Sequence, residues 1–231
     1  MSEVCPLCEN QYSQLATHWS RSKDCSVPEL SEKQREIITG LVMGDGAVVV
    51  PNKNPSLHVK MITEPFLSWV DGSLGWLSNG YTLTQTASEA AKENRESGFS
   101  PNAVEQNYSD KYTLRSKSVE HLWEWRGWYG EDGKKFPENL KLTPTILKIW
   151  YCCDGSMETY NSKPHIAISC NNESDNIGYL LELFEHIDVE PVPHESQRSF
   201  NLRFNQSDSR KLWEYMGEPL PGFEYKWPNT Y

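Results

Sequence analysis

"IITGLVMGDGAV" (residues 37–48) and "ILKIWYCCDGSM" (residues 146–157) decide the fold. Each is an apolar, helix-patterned run that stops on Asp-Gly, at Asp45-Gly46 and at Asp154-Gly155. A carboxylate is badly placed at a helix C-terminus, because the carbonyl end of the macrodipole is already negative. One such ending is an ordinary turn, but two in one chain need a common cause. Aligned on Asp-Gly, Gly40 and Gly44 match Ile149 and Cys153. Gly-x-x-x-Gly spacing puts both glycines on one helix face and lets another backbone come close. If the two helices pack along these faces, their ends lie side by side and Asp45 meets Asp154. Two ionised carboxylates there repel unless cations sit between them, and carboxylate and carbonyl oxygens suit Mg²⁺.

The chain around these motifs reads as two halves with one plan. In the first, Ser31 and Gln34 form a capping box for a helix that runs into Asp45-Gly46. "AVVVP" and "SLHVKMI" follow as strands, "EPFLSWVDGSLGWL" as a helix or broken helix, and "YTLTQT" and "DKYTLRSKS" as strands. Residues 87–110 between those strands are polar and are expected to form an exposed loop. "SVEHLWEWRGWYG" is expected to be a closing helix. In the second half, Thr143 caps a helix with Pro144 in its first turn. "HIAISC" and "SFNLRFN" read as strands, and "SDSRKLWEYMG" as the last helix. Between them, Ile177, Leu180, Leu181, Phe184 and Ile187 share one face of a helix.

The strands alternate. Lys111, Thr113, Arg115 and Lys117 point one way, and His58 and Lys60 oppose Leu57, Val59 and Met61. A strand with one apolar and one basic face packs a core with the first and can present the second to a DNA groove. The first-half candidates for DNA contact are therefore His58, Lys60, Lys111, Arg115 and Lys117. Those of the second half are His165, Arg198 and Arg203.

The N-terminal "CPLCENQYSQLATHWSRSKDC" has Cys5, Cys8, His18 and Cys25 at C-x2-C-x9-H-x6-C spacing. Four N/S ligands make a closed tetrahedral zinc site, expected to hold one structural Zn²⁺. A segment this small cannot build a core without such a staple. Its role is open between an extra DNA clamp, helped by His18, Arg21 and Lys23, and a cap on the main domain. The clustering of Cys, three of six within the first 25 residues, fits a metal site in a reducing compartment better than a disulfide framework.

Bulk properties exclude less. The net charge of −10 argues against a nucleic-acid partner taken alone, but a local basic face is what binds phosphate. No run approaches the roughly 18 apolar residues of a membrane span. The N-terminus lacks a signal layout. An intracellular protein without a membrane partner is expected, in the cytoplasm, nucleoid or an organelle.

"ITGLVMGDG" and "LKIWYCCDG" resemble the two copies of the LAGLIDADG motif of homing endonucleases. "GKKFPENLKLTPTILKIWYCCDGSM" is similar to the family's lead-in to its second motif, and "PGFEYKWPNTY" to its Tyr-Lys tail. The resemblance covers residues 31–231 and leaves out the zinc segment. It implies an α+β, pseudo-twofold fold of two αββαββα-like halves with saddle-shaped antiparallel sheets. The expected division is a zinc-finger-like segment over 1–28 and halves over 31–130 and 131–231. It further implies a monomer that cuts both strands of a long asymmetric DNA duplex with two or more Mg²⁺ and leaves short 3′ overhangs. Asp45 and Asp154 would ligate the metals with the carbonyls of Gly44 and Cys153. Lys226 would lie near the scissile phosphates, with Lys134 or Lys135 as its counterpart. One residue, Phe136, separates Lys135 from Pro137 where relatives often have two, which leaves the lysine choice open with a lean to Lys134. Met43, Cys152 and the bulky Trp150-Tyr151 pair also depart from the usual motif, in packing more than in chemistry.

Two rivals remain. One is a non-cleaving DNA- or RNA-binding relative, an intron maturase or transcription regulator; such relatives often lose one acid, and this chain keeps both. The other is a zinc-bearing α/β protein whose Asp-Gly pairs are ordinary turns. The chain carries no splice-junction chemistry at Met1-Ser2 or Asn229-Thr230-Tyr231, so a free-standing or intron-encoded enzyme is expected rather than an intein.

Overall fold

The computed structural model describes residues 2–131, 133–196 and 199–228. The chain divides into two compact units, one of residues 1–35 and 48–123, the other of 36–47 and 124–231. Along the chain come β1 (Glu3–Val4), β2 (Gln11–Tyr12), α1 (Leu15–Arg21) and α2 (Glu32–Met43). The predicted capping box opens α2: the Ser31 N–H donates to Gln34 Oε1 at 2.9 Å, and the Gln34 N–H to Ser31 Oγ at 3.2 Å. Then follow β3 (Gly46–Val49), β4 (Ser56–Met61), α3 (Glu64–Leu74), β5 (Ser78–Gln85), α4 (Ala87–Glu96) and β6 (Lys111–Ser116). The sheet order is β3-β4-β6-β5. Its apolar face, with Leu57, Val59 and Leu114, is buried, as are Phe66, Leu67, Val70 and Leu74 of α3, which packs on β5 and β6.

Two first-half expectations change. Residues 87–110 are not one loop, because α4 occupies their start. Thr86 caps it, taking the Glu89 N–H on its hydroxyl while Glu89 takes the Thr86 N–H at 2.7 Å. Ala90 and Ala91 bury the helix's one apolar stripe, too narrow to stand out among polar neighbours. The closing helix is also shorter, a 3-10 turn over Glu120–Leu122 and then α5 (Trp123–Arg126). Gly127 and the β7 strand that follows (Tyr129–Gly130) end it early.

The second unit adds β8 (Gly133–Lys134), α6 (Pro144–Asp154), β9 (Gly155–Tyr160), β10 (Lys163–Ser169), α7 (Ile177–Glu185), β11 (Val192–Glu195), β12 (Phe200–Arg203) and α8 (Gln206–Met216). Thr143 caps α6 as predicted, and the antiparallel sheet has the order β11-β12-β10-β9. Strand β9 is absent from the sequence reading. It joins β10 through Asn161-Ser162, both at positive φ, in a two-residue turn that usually carries glycine. β11 is exposed throughout and shows no alternation. On α7 the buried residues are Leu180, Leu183 and Phe184, while Ile177 stays exposed, so the apolar face is rotated from the expected one. Among the described residues no helix is long and apolar enough to cross a membrane.

Candidate active site

The second unit contains α6 and all of α2 from Glu36 onward. The aligned positions of the two motifs meet each other. A Cβ added at Gly40 would lie 2.8 Å from Ile149 Cβ, and one at Gly44 would lie 2.3 Å from Cys153 Cβ. The helices approach so closely that only hydrogen fits at Gly44. Behind Asp154, a Cβ at Gly155 would strike the Tyr151 carbonyl at 2.5 Å, so the chain leaves the helix there only with glycine.

Each helix end is met by a lysine. Lys134 donates to the carbonyls of Gly44 (2.9 Å) and Met43 (3.4 Å) at the end of α2. Lys226, 7% exposed, donates to Cys152 (2.6 Å), Gly155 (2.6 Å) and Tyr151 (3.3 Å) at the end of α6. A cation at a helix C-terminus offsets the dipole and the orphan carbonyls together. The awkward carboxylates are therefore not alone: two acids and two lysines share one place. Lys135 points elsewhere, to the Asn172 carbonyl and, at 2.5 Å, to Asp175.

Burial sets the charges. It raises the Asp45 carboxyl, against the pull of Lys226 and Lys134. Asp154 is pushed up to about 6, by burial first and the Asp45 charge second. The indole N–H of Trp150 faces Asp154 outside hydrogen-bond geometry and eases that rise. Burial lowers both Lys134 and Lys226, against the pull of the carboxylates. It also raises the Cys153 thiol well up, helped by Asp45, which makes that residue packing rather than a nucleophile. Two partly buried acids that repel each other, beside helix-end carbonyls, form an all-oxygen donor set that fits a hard divalent cation.

A third acid was not legible in the sequence. Glu173, 1% exposed, follows β10 in the polar run "NNESDN". Its Oε1 takes the Phe136 N–H at 2.8 Å, while Oε2 is buried without a partner.

The basic candidates divide. On the first unit's sheet, His58 stands opposite Arg115 and Lys60 opposite Thr113, and Lys60, Lys111 and Arg115 are exposed. Burial, then the Arg115 and Lys60 charges, hold His58 below the usual imidazole value. Lys117 is a correction: it is 7% exposed, pairs with Glu3 and donates to the Ser78 carbonyl at 2.9 Å, so it is not on the open face. The β6 strand ends at Ser116, and alternation no longer governs the residue after it. In the second unit Arg203 lies 3.5 Å from Glu158, and His165 contacts the Phe204 carbonyl at 3.2 Å. Arg198 lies outside the described residues.

Cys5, Cys8, His18 and Cys25 converge in the first unit, their ligand atoms all within 4.8 Å of one another. Cys8 Sγ is 3.6 Å from His18 Nε2. That is the separation, about 3.6 Å, expected for sulfur and nitrogen on one tetrahedral zinc. Burial alone would raise the Cys5 thiol, but the N–H groups of Cys8 and Leu7 and the Trp19 indole outweigh it and bring it to about 6. The set fits Zn²⁺. Trp19 also packs edge-on against Trp76 at 5.5 Å, which ties the segment to the first unit.

The family model of the LAGLIDADG DNA endonucleases matches residues 35–212. The chain belongs to that family. No curated protein matches the sequence. Among solved structures, this LAGLIDADG protein is similar to the homing endonuclease I-WcaI bound to its DNA recognition sequence. The two share 13% identity over 93% of this chain and 92% of that one, with a TM-score of 0.73. It is also similar to I-DmoI in complex with DNA and Ca, at 12% identity over 84% and 95% of the chains and a TM-score of 0.51. At these identities the likeness is one of fold, and it matches the α+β LAGLIDADG architecture with antiparallel sheets.

Proposed function

We propose that this LAGLIDADG protein is a site-specific homing endonuclease that hydrolyses both strands of a long asymmetric duplex and leaves short 3′ overhangs. One observation carries the reading: both motif acids are present together, and each motif helix ends on its own lysine. Family neighbours include a homing endonuclease bound to its recognition DNA and another in complex with DNA and Ca.

Asp45 and Asp154, with carbonyls of Gly44 and Cys153, would hold Mg²⁺. When bound, the metal supplies Lewis-acid charge beside the scissile phosphates. The protein's own groups do the rest. Lys134 and Lys226 hold positive charge at the two helix ends, ready to steady charge developing on phosphate oxygens. Burial that lowers their proton affinity also suits them to release a proton to nearby solvent. The exposed Lys60, Lys111, Arg115 and Arg203, with the half-buried His58 and His165, would contact DNA, with phosphates giving register and base edges giving sequence. The N-terminal Zn²⁺ is structural, and the chain acts as an intracellular monomer.

The test is cleavage of a supercoiled plasmid carrying the uninterrupted DNA that flanks the gene, with Mg²⁺. Native protein is expected to linearise it, and Asp45→Asn is expected to lose at least about 10³-fold. Binding without cutting by the native protein would move the assignment to the non-cleaving relatives.

A further inference from the structure

Beside Asp154, the second unit has a half-open pocket of about 160 Å³, lined by Trp150, Glu173, Ser169 and Asn171 among others. Glu173 Oε2 is buried there without a hydrogen-bond partner among the described residues. Leaving a carboxylate oxygen dry and unpaired costs several kcal/mol, so such a group normally faces water or an ion. The space has room for several waters at roughly 30 Å³ each. It is small, polar and adjoins one motif acid.

Glu173 also holds the backbone of the segment that presents Lys134, through the Phe136 N–H. The other oxygen is left for a different purpose. The corresponding position of the first half offers no such group: Glu64, at the same interval after Asp45, is exposed and takes the Tyr81 hydroxyl at 3.4 Å. A hard cation such as Mg²⁺ keeps much of its water when it binds carboxylates, and that water needs acceptors.

We infer that Glu173 is a positioning residue of the cation site, whose free oxygen accepts from the water that a cation at Asp154 carries into this pocket. The inference rests on the metal-dependent reading of the site. It makes the two motif acids unequal, because among the described residues the Asp154 side has a buried outer acceptor where Glu64 on the other is exposed.

Tb³⁺ luminescence excited through tryptophan tests it on the zinc-loaded full chain without DNA, since Trp150 lines the pocket. The signal is expected to saturate, to be displaced by Mg²⁺, and to vanish in Asp154→Asn. Glu173→Gln is expected to raise the half-saturating Tb³⁺ concentration about tenfold. Its melting temperature should stay native, because Gln still accepts from the Phe136 N–H. Unchanged Tb³⁺ affinity in Glu173→Gln overturns the inference, as does a native protein with no sensitised signal. Should that variant fail to fold, Glu173→Asp decides: its shorter carboxylate weakens binding if the inference holds, and native affinity sinks it. A protein that binds Tb³⁺ through Asp154 and Glu173 yet cuts no DNA would fail the nuclease reading and leave this assignment standing.

Discussion

At the scale of single residues, Asp154 shows what the site costs. Its carboxyl is pushed from 3.8 to about 6, so between those values the folded state holds the proton more tightly than the unfolded chain. Stability of the magnesium-free protein therefore falls as pH rises through that window and levels off above it. Asp154→Asn removes the penalty. At pH 7.5 it is expected to melt a few degrees above native, equivalent to about 1–2 kcal/mol after allowing for solvent access, with the difference closing towards pH 4. Thermal melts across pH check this, and a variant less stable than native at pH 7.5 would contradict it. The two adjacent lysines are expected to separate as sharply. Lys134→Met should lose at least about 100-fold in cleavage rate, whereas Lys135→Met should stay within about threefold, because only Lys134 reaches the α2 carbonyls. The clustering of Cys5, Cys8, His18 and Cys25, and the motif positions of Asp45, Asp154 and Lys226, were legible in the sequence because motif or spacing marks them. Glu173 was not, because burial, rather than its neighbours in the chain, distinguishes it from any other glutamate in a polar run.

At the scale of elements, the α2–α6 contact is set by residues without bulk. Gly44→Ala places a methyl group against Cys153 and is expected to destabilise the protein by about 1–3 kcal/mol. Adding Cys153→Gly should recover part of that loss, and a double-mutant cycle with denaturant melts measures the coupling. Additive losses would mean that the two positions do not share the contact. This pairing could be read in advance, since aligning the motifs puts Gly44 against Cys153. Elements fixed by local chemistry were likewise legible, as with the caps at Ser31 and Thr143. Elements fixed by tertiary pairing were not. Strand β9 turns on Asn161-Ser162 without a glycine, β11 has no apolar face, and α4 buries only alanines. Lys117 belongs with them, because its partner Glu3 comes from a segment far away in sequence.

At the scale of the whole molecule, the Cys/His segment is part of the first unit's packing. Cys5, Leu15, Trp19 and Cys25 form one buried cluster with Trp76 against it. Metal binding and folding should therefore be coupled. The purified protein is expected to carry one zinc per chain, and Cys5→Ser to lose it and melt about 5–10 °C lower. Metal analysis and calorimetry check both, and a zinc-free variant with native melting would leave the segment without a structural role. The chain's charge of −10 is a poor guide to its partner for a related reason: the open positive groups sit on sheet faces, and totals hide position.

The two lysines at the helix ends have an evolutionary consequence. They neutralise α2 and α6 whether or not the acids are there, so the scaffold would survive the loss of either Asp45 or Asp154 and fold more firmly for it. Drift under selection for folding alone would run towards a stable, silent DNA binder. On the proposed nuclease reading, both acids persist only while cutting itself is rewarded, and this sequence carries both.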